Sequence, residues 1–287
     1  MVWEFQPLIR RYKPYLLNYL DDWIIATPDG EEGLALHWEI TDAFLDLLQK
    51  LLYFLKLGKC EFEKNSIKFL GWLIMPNGIT VDPAKAAGLA DWPRQLHNVK
   101  ELWHTLGILG YQRPFIRGYA QLAKPLIDLT WKEITFKWKE HHTEALDKLI
   151  HMVTTALVLG CPNLDQQFFV EVDTSTFALG VVLFQYDAQN KQRDVAYFSK
   201  VLTPPEWNYD IWDCEFLAIV AALRHWWHLL IGTKEPVVIF TNHANLQYYR
   251  HLQKINHRVA RYTVSSKTVL TKLTLDRKLQ YLLYYWC

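Results

Sequence analysis

The chain has 287 residues, of which 51% are hydrophobic and 21% are charged, and its formal net charge is +1 at pH 7. This composition is typical of a globular protein with about two domains and excludes a chain that is disordered over most of its length. Charged residues interrupt the apolar stretches well short of about 18 residues, so no transmembrane helix and no membrane partner are predicted.

The cysteines and the N-terminal residues indicate where in the cell the protein is expected to be. Four cysteines lie far apart and form no C-x-x-C pair, which indicates free thiols and no zinc site. The N-terminal residues lack an apolar segment followed by a cleavage site of small residues. An intracellular protein, in the cytoplasm or the nucleus and not secreted, is therefore expected.

Two adjacent carboxylates, Asp21 and Asp22, lie between apolar runs in PYLLNYLDDWIIATP. Tyr15, Leu17 and Tyr19 would share one face of a strand, and the residues after the acids would return to the sheet, so a β-hairpin with both acids at its tip is predicted. Burying two unpartnered carboxylates would be costly, and hydrated Mg²⁺ would neutralise them. An ordinary acidic turn is the alternative, because such a pattern arises by chance roughly once in twenty chains of this kind.

Helical and hairpin patterns alternate after the acids. Apolar residues at intervals of three and four positions predict an amphipathic helix from about residue 37 to about residue 57, ended by Gly58. The stretch IKFLGWLIMPNGITVD predicts a second hairpin, with Asn77 and Gly78 as its turn and Gly71 interrupting its first strand.

The next segment is predicted to be helical. Asn98 is the expected N-cap of a helical stretch that runs to about residue 130, with Glu101 in the capping-box position, and Pro114 must break or kink it. A further helix is expected from about residue 143 to about residue 157. The domain boundary is predicted at Pro162.

The second half of the chain predicts a mixed sheet covered by a helix. QFFVEVD, ALGVVLFQ and DVAYFS predict antiparallel strands, and a long helix is expected from Asp213 to about Ile231. VVIFTN would return parallel to the first strand, because a helix separates it from the antiparallel set. Asp173 ends the first strand, Glu215 lies in the first turn of the helix, and Asn242 ends the last strand.

A basic cluster follows the last predicted strand. Arg250, Lys254 and Arg258 are spaced by four residues and would align on one face of a helix, with Arg261 nearby. Such a stripe can follow the phosphates of a nucleic acid. A solvated helix face is the alternative.

These segments together resemble the pol region of gypsy-type long-terminal-repeat retrotransposons, from the end of a reverse transcriptase palm into ribonuclease H. The resemblance implies an α/β (α+β) fold, with the C-terminal part of the palm in residues 1–90 and a helical thumb and connection in residues 91–160. A ribonuclease H-like mixed-sheet domain would occupy residues 161–262, and residues 263–287 form a divergent tail. The matching segments, in the family's order, are YLDDWIIAT, LKLGKCEFEKNSIKFLGWLI, GITVDPAK, DWPRQLHNVKELWHTLGILGYQRPFI, LAKPLIDLT, VDTSTFALGVVLFQ, VAYFSKVLTPPEWNYDIWDCEFLAIVAALRHWWHLLIGT and FTNHANLQYYR.

The polymerase half of the resemblance implies nucleotidyl transfer with two Mg²⁺ ions, which Asp21 and Asp22 would help to hold. A further metal-binding aspartate of the family lies well before the hairpin, and only 18 residues precede Tyr19, so no DNA synthesis is expected from the chain alone. The resemblance implies that Phe69, Gly71 and Trp72 grip the primer strand, although simple packing of a hairpin is the alternative. It also implies a thumb helix on which Arg113 and Arg117 could contact phosphate.

The ribonuclease H half implies cleavage of the RNA strand of an RNA:DNA hybrid by two Mg²⁺ ions held by acidic residues. Asp173 and Glu215 match the first two acids, whereas Asn242 stands where the family usually has aspartate. The fourth acid is not found, because the sequence after Tyr262 stops resembling the family. Weak or absent Mg²⁺ binding is therefore expected at this site.

Two functions follow from the resemblance. The first is a segment of a reverse transcriptase and ribonuclease H, with an RNA:DNA hybrid or a primer-template and the rest of the pol polyprotein as partners. The alternative is a catalytically inactive, truncated or degenerate remnant that at most binds nucleic acid. The resemblance implies an enzyme, whereas Asn242 and the missing polymerase part favour the inactive alternative. Whether the chain is an enzyme therefore stays open.

Overall fold

The computed structural model describes residues 2–231, 233–240 and 280–281. Helices and strands are mixed along the chain, and the compact units are Met1–Phe69 and Leu70–Cys287. Within the described residues, no helix combines the length and the apolar character needed to cross a membrane. The predicted domain limits at residues 90, 160 and 262 remain predictions, and only residues 280–281 of the predicted tail are described.

The first unit packs two helices with a small antiparallel hairpin. Leu16 of the hairpin and Ile40 of the longer helix are fully buried in one cluster, and Phe5 packs against Phe44 in another, with their rings tilted by 45°. The elements are α1 (Val2–Arg11), β1 (Leu16–Tyr19), β2 (Asp22–Ile25), α2 (Glu31–Lys50), a 3₁₀ turn (Leu57–Lys59) and β3 (Ile67–Phe69).

Helix α2 begins and ends earlier than the sequence predicts. It follows Gly30, whose φ of +104° favours glycine, and its C-cap is Leu51. The backbone N–H of Tyr53 donates to the carbonyl of Leu48, and Leu52 adopts a positive φ of 59°. These are the features of a Schellman motif. The prediction that Gly58 ends the helix is wrong, because a leucine takes the left-handed position that glycine usually fills.

The second unit begins with a hairpin and four helices. Asp82 accepts a hydrogen bond from the backbone of Ala84 and caps the first of these helices. Asn98 accepts from the backbone N–H of Glu101 at 2.9 Å, and the Glu101 carboxylate accepts from the backbone of His97 at 2.8 Å, so the predicted N-cap is confirmed. The elements are β4 (Trp72–Met75), β5 (Gly78–Val81), α3 (Pro83–Ala90), α4 (Val99–Tyr111), α5 (Tyr119–Asp128) and α6 (Glu140–Thr154).

One prediction needs adjustment here, and another is confirmed. The hairpin turn is Pro76–Asn77, because Met75 pairs with Gly78, so the turn lies one residue earlier than predicted. The helical stretch after Asn98 is interrupted as predicted, and Pro114 lies in a 3₁₀ turn between α4 and α5.

A five-stranded mixed sheet completes the second unit, in the order β10 (Gln280–Tyr281), β9 (Val238–Phe240), β6 (Phe169–Thr174), β7 (Ala178–Tyr186) and β8 (Gln192–Val201). Strands β6, β7 and β8 are antiparallel and β9 is parallel to β6, which confirms the predicted topology. The predicted long helix is divided in two, because α7 ends before Trp226. The two helices are α7 (Ile211–His225) and α8 (Trp227–Leu230).

Each face of this sheet belongs to a different core. Val172 and its partner Val181 pack with the apolar side of α7, whereas Val182 packs with residues of α4, α5 and α6. Because side chains alternate along a strand, neighbouring residues serve opposite layers. The helices of the second unit therefore cover both faces of the sheet.

Candidate metal and nucleic-acid sites

The first candidate site is the tip of the β1–β2 hairpin. Tyr19 pairs with Asp22, so Leu20 and Asp21 form the turn, and Leu20 has a positive φ of 54°. The Asn18 side chain donates to the carbonyl of Leu20 at 3.0 Å and supports this turn. Both aspartates are exposed, so the hairpin with acids at its tip is confirmed. The predicted cost of burying them does not arise, and metal binding at this tip stays a prediction.

The second candidate site is the turn at Leu70 and Gly71. Both residues have positive φ values, 49° and 76°, and a Cβ on Gly71 would come within 2.1 Å of the Lys85 amine. The Tyr111 hydroxyl donates a hydrogen bond to the Leu70 carbonyl. The ring of Tyr111 also lies 5.7 Å from that of Trp72. Lys85 and Tyr111 thus hold this turn, a role that no local sequence pattern indicates.

The remaining residues predicted to grip the primer strand, Phe69 and Trp72, are half-buried. Trp72 lies 5.6 Å from Phe115 in an edge-to-face arrangement, and Phe69 lies in the first unit. The packed-hairpin alternative therefore accounts for Trp72. Contact of these residues with a primer strand stays a prediction.

The two thumb arginines differ in their surroundings. The guanidinium of Arg113 lies over the ring of Tyr119 at 5.6 Å, and burial lowers the pKa of Arg113. Arg117 forms a 3.2 Å ion pair with Glu171 of β6. Arg117 is thus bound by an acid, whereas Arg113 has no carboxylate partner within the described part of the chain. The predicted basic residues Arg250, Lys254 and Arg258 lie outside the described residues.

The third candidate site is the edge of the five-stranded sheet at which β6 ends. Strands β6, β8 and β9 run in the same direction, and α7 starts soon after β8 ends, so its first turns lie at that edge. Asp173 is exposed near the end of β6, and Glu215, in the second turn of α7, is buried. Asn242 follows β9 by two residues and lies outside the described residues.

The register assigns the two acids to different sides of this edge. Asp173 pairs with Gly180, and the Gln121 side chain of α5 would lie 3.1 Å from a Cβ on Gly180. Paired residues share a face, so Asp173 is on the α5 side, whereas α7 with Glu215 covers the other face. The two carboxylates can therefore approach each other only around the end of β6.

Both pairs of acids have suitable chemistry for Mg²⁺, which prefers carboxylate oxygens. Within residues 2–231, 233–240 and 280–281, no group of three or more His, Cys, Asp or Glu side chains could hold a metal ion. Mg²⁺ is usually held by one or two carboxylates together with substrate phosphates and water. The donor set thus fits Mg²⁺ when a nucleic acid supplies the remaining ligands.

Comparison with known proteins agrees with the fold. Residues 138–239 match the model of the RNase H-like domain found in reverse transcriptase. The Transposon Tf2-3 polyprotein of Schizosaccharomyces pombe is 31% identical over 250 residues, and the Transposon Tf2-7 polyprotein of the same organism is 34% identical over 250 residues. The chain is related to retrotransposon polyproteins. Each match covers 86% of this chain and 18% of the relative's length.

Solved structures confirm the fold of this retrotransposon-related chain. A foamy viral protease-reverse transcriptase in complex with RNA/DNA hybrid matches with a TM-score of 0.75 and 19% identity, over 92% of this chain and 36% of that chain. A second foamy viral structure, in complex with ds DNA, has a TM-score of 0.76 and 20% identity, over 94% of this chain and 48% of that chain. The predicted mixed fold of reverse transcriptase and ribonuclease H type is thereby confirmed.

Proposed function

We propose that this chain is the nucleic-acid-binding segment of a retrotransposon reverse transcriptase and ribonuclease H, and that it cleaves an RNA:DNA hybrid weakly or not at all. The observation that carries this proposal is the shared sheet edge at which exposed Asp173 and the first turns of α7, with Glu215, lie. Carboxylates from separate elements at one edge of a mixed sheet suit phosphodiester chemistry.

Metal binding is part of the proposal. Asp173 and Glu215 would hold Mg²⁺ at the sheet edge, and Asp21 and Asp22 would do so at the hairpin tip. When bound, the ions would activate the attacking oxygen and stabilise the leaving oxygen. The protein contributes negative charge and position: Asp173 is open to solvent, whereas burial restrains the orientation of Glu215.

Asn242 is the reason for weak cleavage. Unit charges about 4 Å apart interact by about 4 kcal/mol at an effective dielectric constant of about 20, so replacing a carboxylate by an amide removes a large gross attraction for a divalent ion. The amide oxygen still coordinates a hard cation, but more weakly. Two carboxylates and one amide would thus bind Mg²⁺ less tightly than three carboxylates.

Hybrid binding is proposed on two grounds. One is that a foamy viral protein of the same fold is in complex with RNA/DNA hybrid. The other is the half-buried cation of Arg113, which no carboxylate neutralises within the described residues and which could pair with a phosphate. Phosphate contacts of this kind release counterions, so binding should weaken steeply as salt increases.

The test uses the full chain with a labelled RNA:DNA hybrid. We expect binding that weakens linearly with the logarithm of salt concentration, and little Mg²⁺-dependent cleavage of the RNA strand. Asn242→Asp should raise cleavage, and Asp173→Asn added to that variant should remove the gain. This pair separates a weakened metal site from contaminating nuclease activity.

Two outcomes would contradict the proposal. Robust Mg²⁺-dependent cleavage by the unmodified chain would refute the weakened site and favour a working enzyme. Failure to bind the hybrid at low salt would refute the nucleic-acid role itself. Binding without cleavage, together with no gain from Asn242→Asp, would instead favour the inactive remnant.

A further inference from the structure

A cavity lies where α5 ends and α6 begins, apart from the acidic sites. Its volume is about 390 Å³, which is within the range of sites for small molecules. Three stretches line it: the last turns of α5, the segment that links the two helices, and the first turn of α6. None of the lining residues belongs to the metal or nucleic-acid sites described above. The cavity is therefore separate from those sites.

The charge of the lining is positive. Lys137 and Lys139 are exposed, and no carboxylate pairs with either of them within the described residues. Lys124 pairs with Asp128 at 2.6 Å, so these two lining charges offset each other. Three lysines and one aspartate give the lining a net charge of +2 when both lining histidines are neutral. Two unpaired lysines suit a doubly charged phosphate.

A buried hydrogen-bond donor also lines the cavity. His142, in the first turn of α6, is 5% exposed, and its Nδ1 accepts a hydrogen bond from the backbone N–H of Lys139 at 2.9 Å. An imidazole nitrogen that accepts carries no proton, so the neutral ring has its proton on Nε2. Nε2 has no hydrogen-bond partner within the described part of the chain. A buried N–H without a partner costs free energy that an acceptor in the cavity would recover.

Neighbouring residues fix the orientation and the charge of His142. The Trp138 ring lies 5.5 Å from the His142 ring, and the Trp138 indole N–H donates to the Thr143 hydroxyl at 2.9 Å. Burial lowers the pKa of His142, and the neighbouring His141 and Lys139 lower this pKa further, so the ring is neutral at pH 7. The Nε2–H thus donates at that pH without adding a charge, and the lysines supply the positive charge for an anion.

Helix α6 adds partial positive charge at the cavity. It has 15 residues, and the backbone N–H groups in the first turn of a helix lack partners within the helix. This end carries the positive pole of the helix dipole, which favours a bound anion. Glu140 lies in the same turn, but it is exposed and does not line the cavity. The start of α6 and the two unpaired lysines therefore favour the same kind of ligand.

Apolar residues complete the lining. Leu129 is buried, Pro125 is half-buried and Ile134 is 46% exposed. Apolar surface that a ligand covers is removed from water, which contributes about 25 cal/mol per Å². A phosphate ion alone gains nothing from such surface, so a ligand that also carries a compact apolar group fits this lining better.

We propose that the cavity between α5 and α6 binds a small phosphate monoester with a compact apolar group. The phosphate pairs with Lys137 and Lys139 and accepts a hydrogen bond from Nε2 of His142, and the apolar group packs on Pro125 and Leu129. This goes beyond the proposed function, because the site requires no metal ion and takes a free small molecule instead of a nucleic acid.

The first experiment measures binding of phenyl phosphate, inorganic phosphate and phenol to the full chain by isothermal titration calorimetry at pH 7 without Mg²⁺. We expect phenyl phosphate to bind saturably with one molecule per chain, inorganic phosphate to bind at least about tenfold more weakly, and phenol not to bind saturably. The second and third probes each lack one part of the ester, so the series separates phosphate pairing from apolar packing. Phenyl phosphate that does not saturate, or binds no more tightly than either other probe, would overturn the proposal.

The decisive variant is Lys137→Gln, which removes one of the unpaired charges. The affinity for phenyl phosphate should fall by at least about tenfold, or about 1.4 kcal/mol. Lys132→Gln is the matched control, because Lys132 is exposed in the same linking segment but does not line the cavity, and its affinity should change by less than about twofold. Both changes are on the surface, so neither should shift the thermal midpoint. Equal losses of affinity in the two variants, or no loss in Lys137→Gln, would overturn the proposal.

His142→Asn tests the buried donor. The asparagine Oδ1 can still accept from the Lys139 backbone, but the side chain is too short to place a donor at the position of Nε2, so phenyl phosphate should bind more weakly. If His142→Asn does not fold, Thr135→Trp replaces it, because Thr135 is exposed and lines the cavity, which a larger side chain would fill. Unchanged affinity in the variant that folds would contradict the proposal.

A competition assay separates a small phosphate ester from a nucleic acid. Neither a single-stranded oligonucleotide nor an RNA:DNA hybrid should displace phenyl phosphate, and saturating phenyl phosphate should leave binding of the hybrid unchanged. Displacement by either nucleic acid would overturn the proposal and assign the cavity to a nucleic-acid backbone. Because phenyl phosphate binding requires neither a hybrid nor a metal ion, failure of this site is distinguishable from failure of the proposed function.

Discussion

Two hairpins, each with a two-residue turn, have different surroundings in the two compact units. In β1–β2 the turn is closed by Tyr19 and Asp22, and in β4–β5 it is closed by Met75 and Gly78. Asp22 is exposed and carries a carboxylate, whereas Gly78 carries no side chain and lies against the carbonyl of Leu159. Local turn rules thus produce both hairpins, and the residues packed around each turn determine whether it can expose a functional side chain.

The packed hairpin is joined to the rest of its unit through its backbone. Ile79 and Leu159 exchange backbone hydrogen bonds of 2.8 and 2.9 Å, and the carbonyl of Asn77 accepts from Arg193 of β8 at 2.5 Å. The neighbouring Gly160 donates to the carbonyl of Asp194, also in β8, at 2.8 Å. The segment after α6 therefore connects β5 with the five-stranded sheet, and there is no room for a side chain at Gly78.

The largest expected effect comes from placing a side chain at the packed position. Gly78→Val should lower the free energy of unfolding by about 4 kcal/mol, because its φ of +151° strains other residues and its Cβ would lie 2.0 Å from the Leu159 carbonyl oxygen. Asp22→Val, at the equivalent position of the exposed hairpin, should change stability by less than about 0.5 kcal/mol. Urea denaturation measures both, and equal losses would remove the distinction between the hairpins.

A smaller effect tests which face of the exposed hairpin is buried. Leu16 is 0% exposed and its neighbour Leu17 is 49% exposed. Leu16→Ala should therefore cost about 3 kcal/mol of unfolding free energy. Leu17→Ala should cost less than about 0.5 kcal/mol. Urea denaturation measures both variants. A larger loss of unfolding free energy in Leu17→Ala than in Leu16→Ala would mean that β1 buries its other face.

The smallest effect concerns an acid that stabilises the second unit. Glu206 accepts hydrogen bonds from Lys200 at 2.8 Å and from the backbone of Thr203 at 2.7 Å. Burial by itself raises the pKa of Glu206. The hydrogen bonds and the charge of Lys200 lower the pKa by more than burial raises it, so the net shift of the pKa is downward. A lowered folded-state pKa gives stability that is present above the unfolded-state pKa and is lost as pH falls through the folded-state value.

The corresponding measurement is the thermal midpoint as a function of pH. Between about pH 6 and about pH 3, the unmodified chain should lose more stability than Glu206→Gln, whose amide does not titrate in this range. Lys200→Met serves as the partner control and should also reduce the pH dependence. Identical pH profiles in all three proteins would show that this acid contributes no folding-linked protonation.

Particular residues show how far prediction from sequence reaches. Asn98 and Glu101 cap α4 as predicted, because the contact spans only three positions and depends on local backbone geometry. The end of α2 was missed, since Leu52 adopts the conformation for which glycine is the usual signal. The sequence predicts an interruption at Gly71, but it does not predict that Lys85 and Tyr111 hold the turn at Leu70 and Gly71, because these two residues come from other elements.

The amino-acid sequence by itself determined the two hairpins, the capped helix, the order of the strands β6 to β9 and the relationship to retrotransposon polyproteins. These depend on patterns repeated over a few residues or on ordered segments along the chain. Only the tertiary structure decided that Gly78 must lack a side chain, that Arg117 pairs with Glu171, and that a cavity lies between the end of α5 and the start of α6. The physical reason is that packing joins residues far apart in sequence, and burial and charge at those contacts are properties of the folded chain.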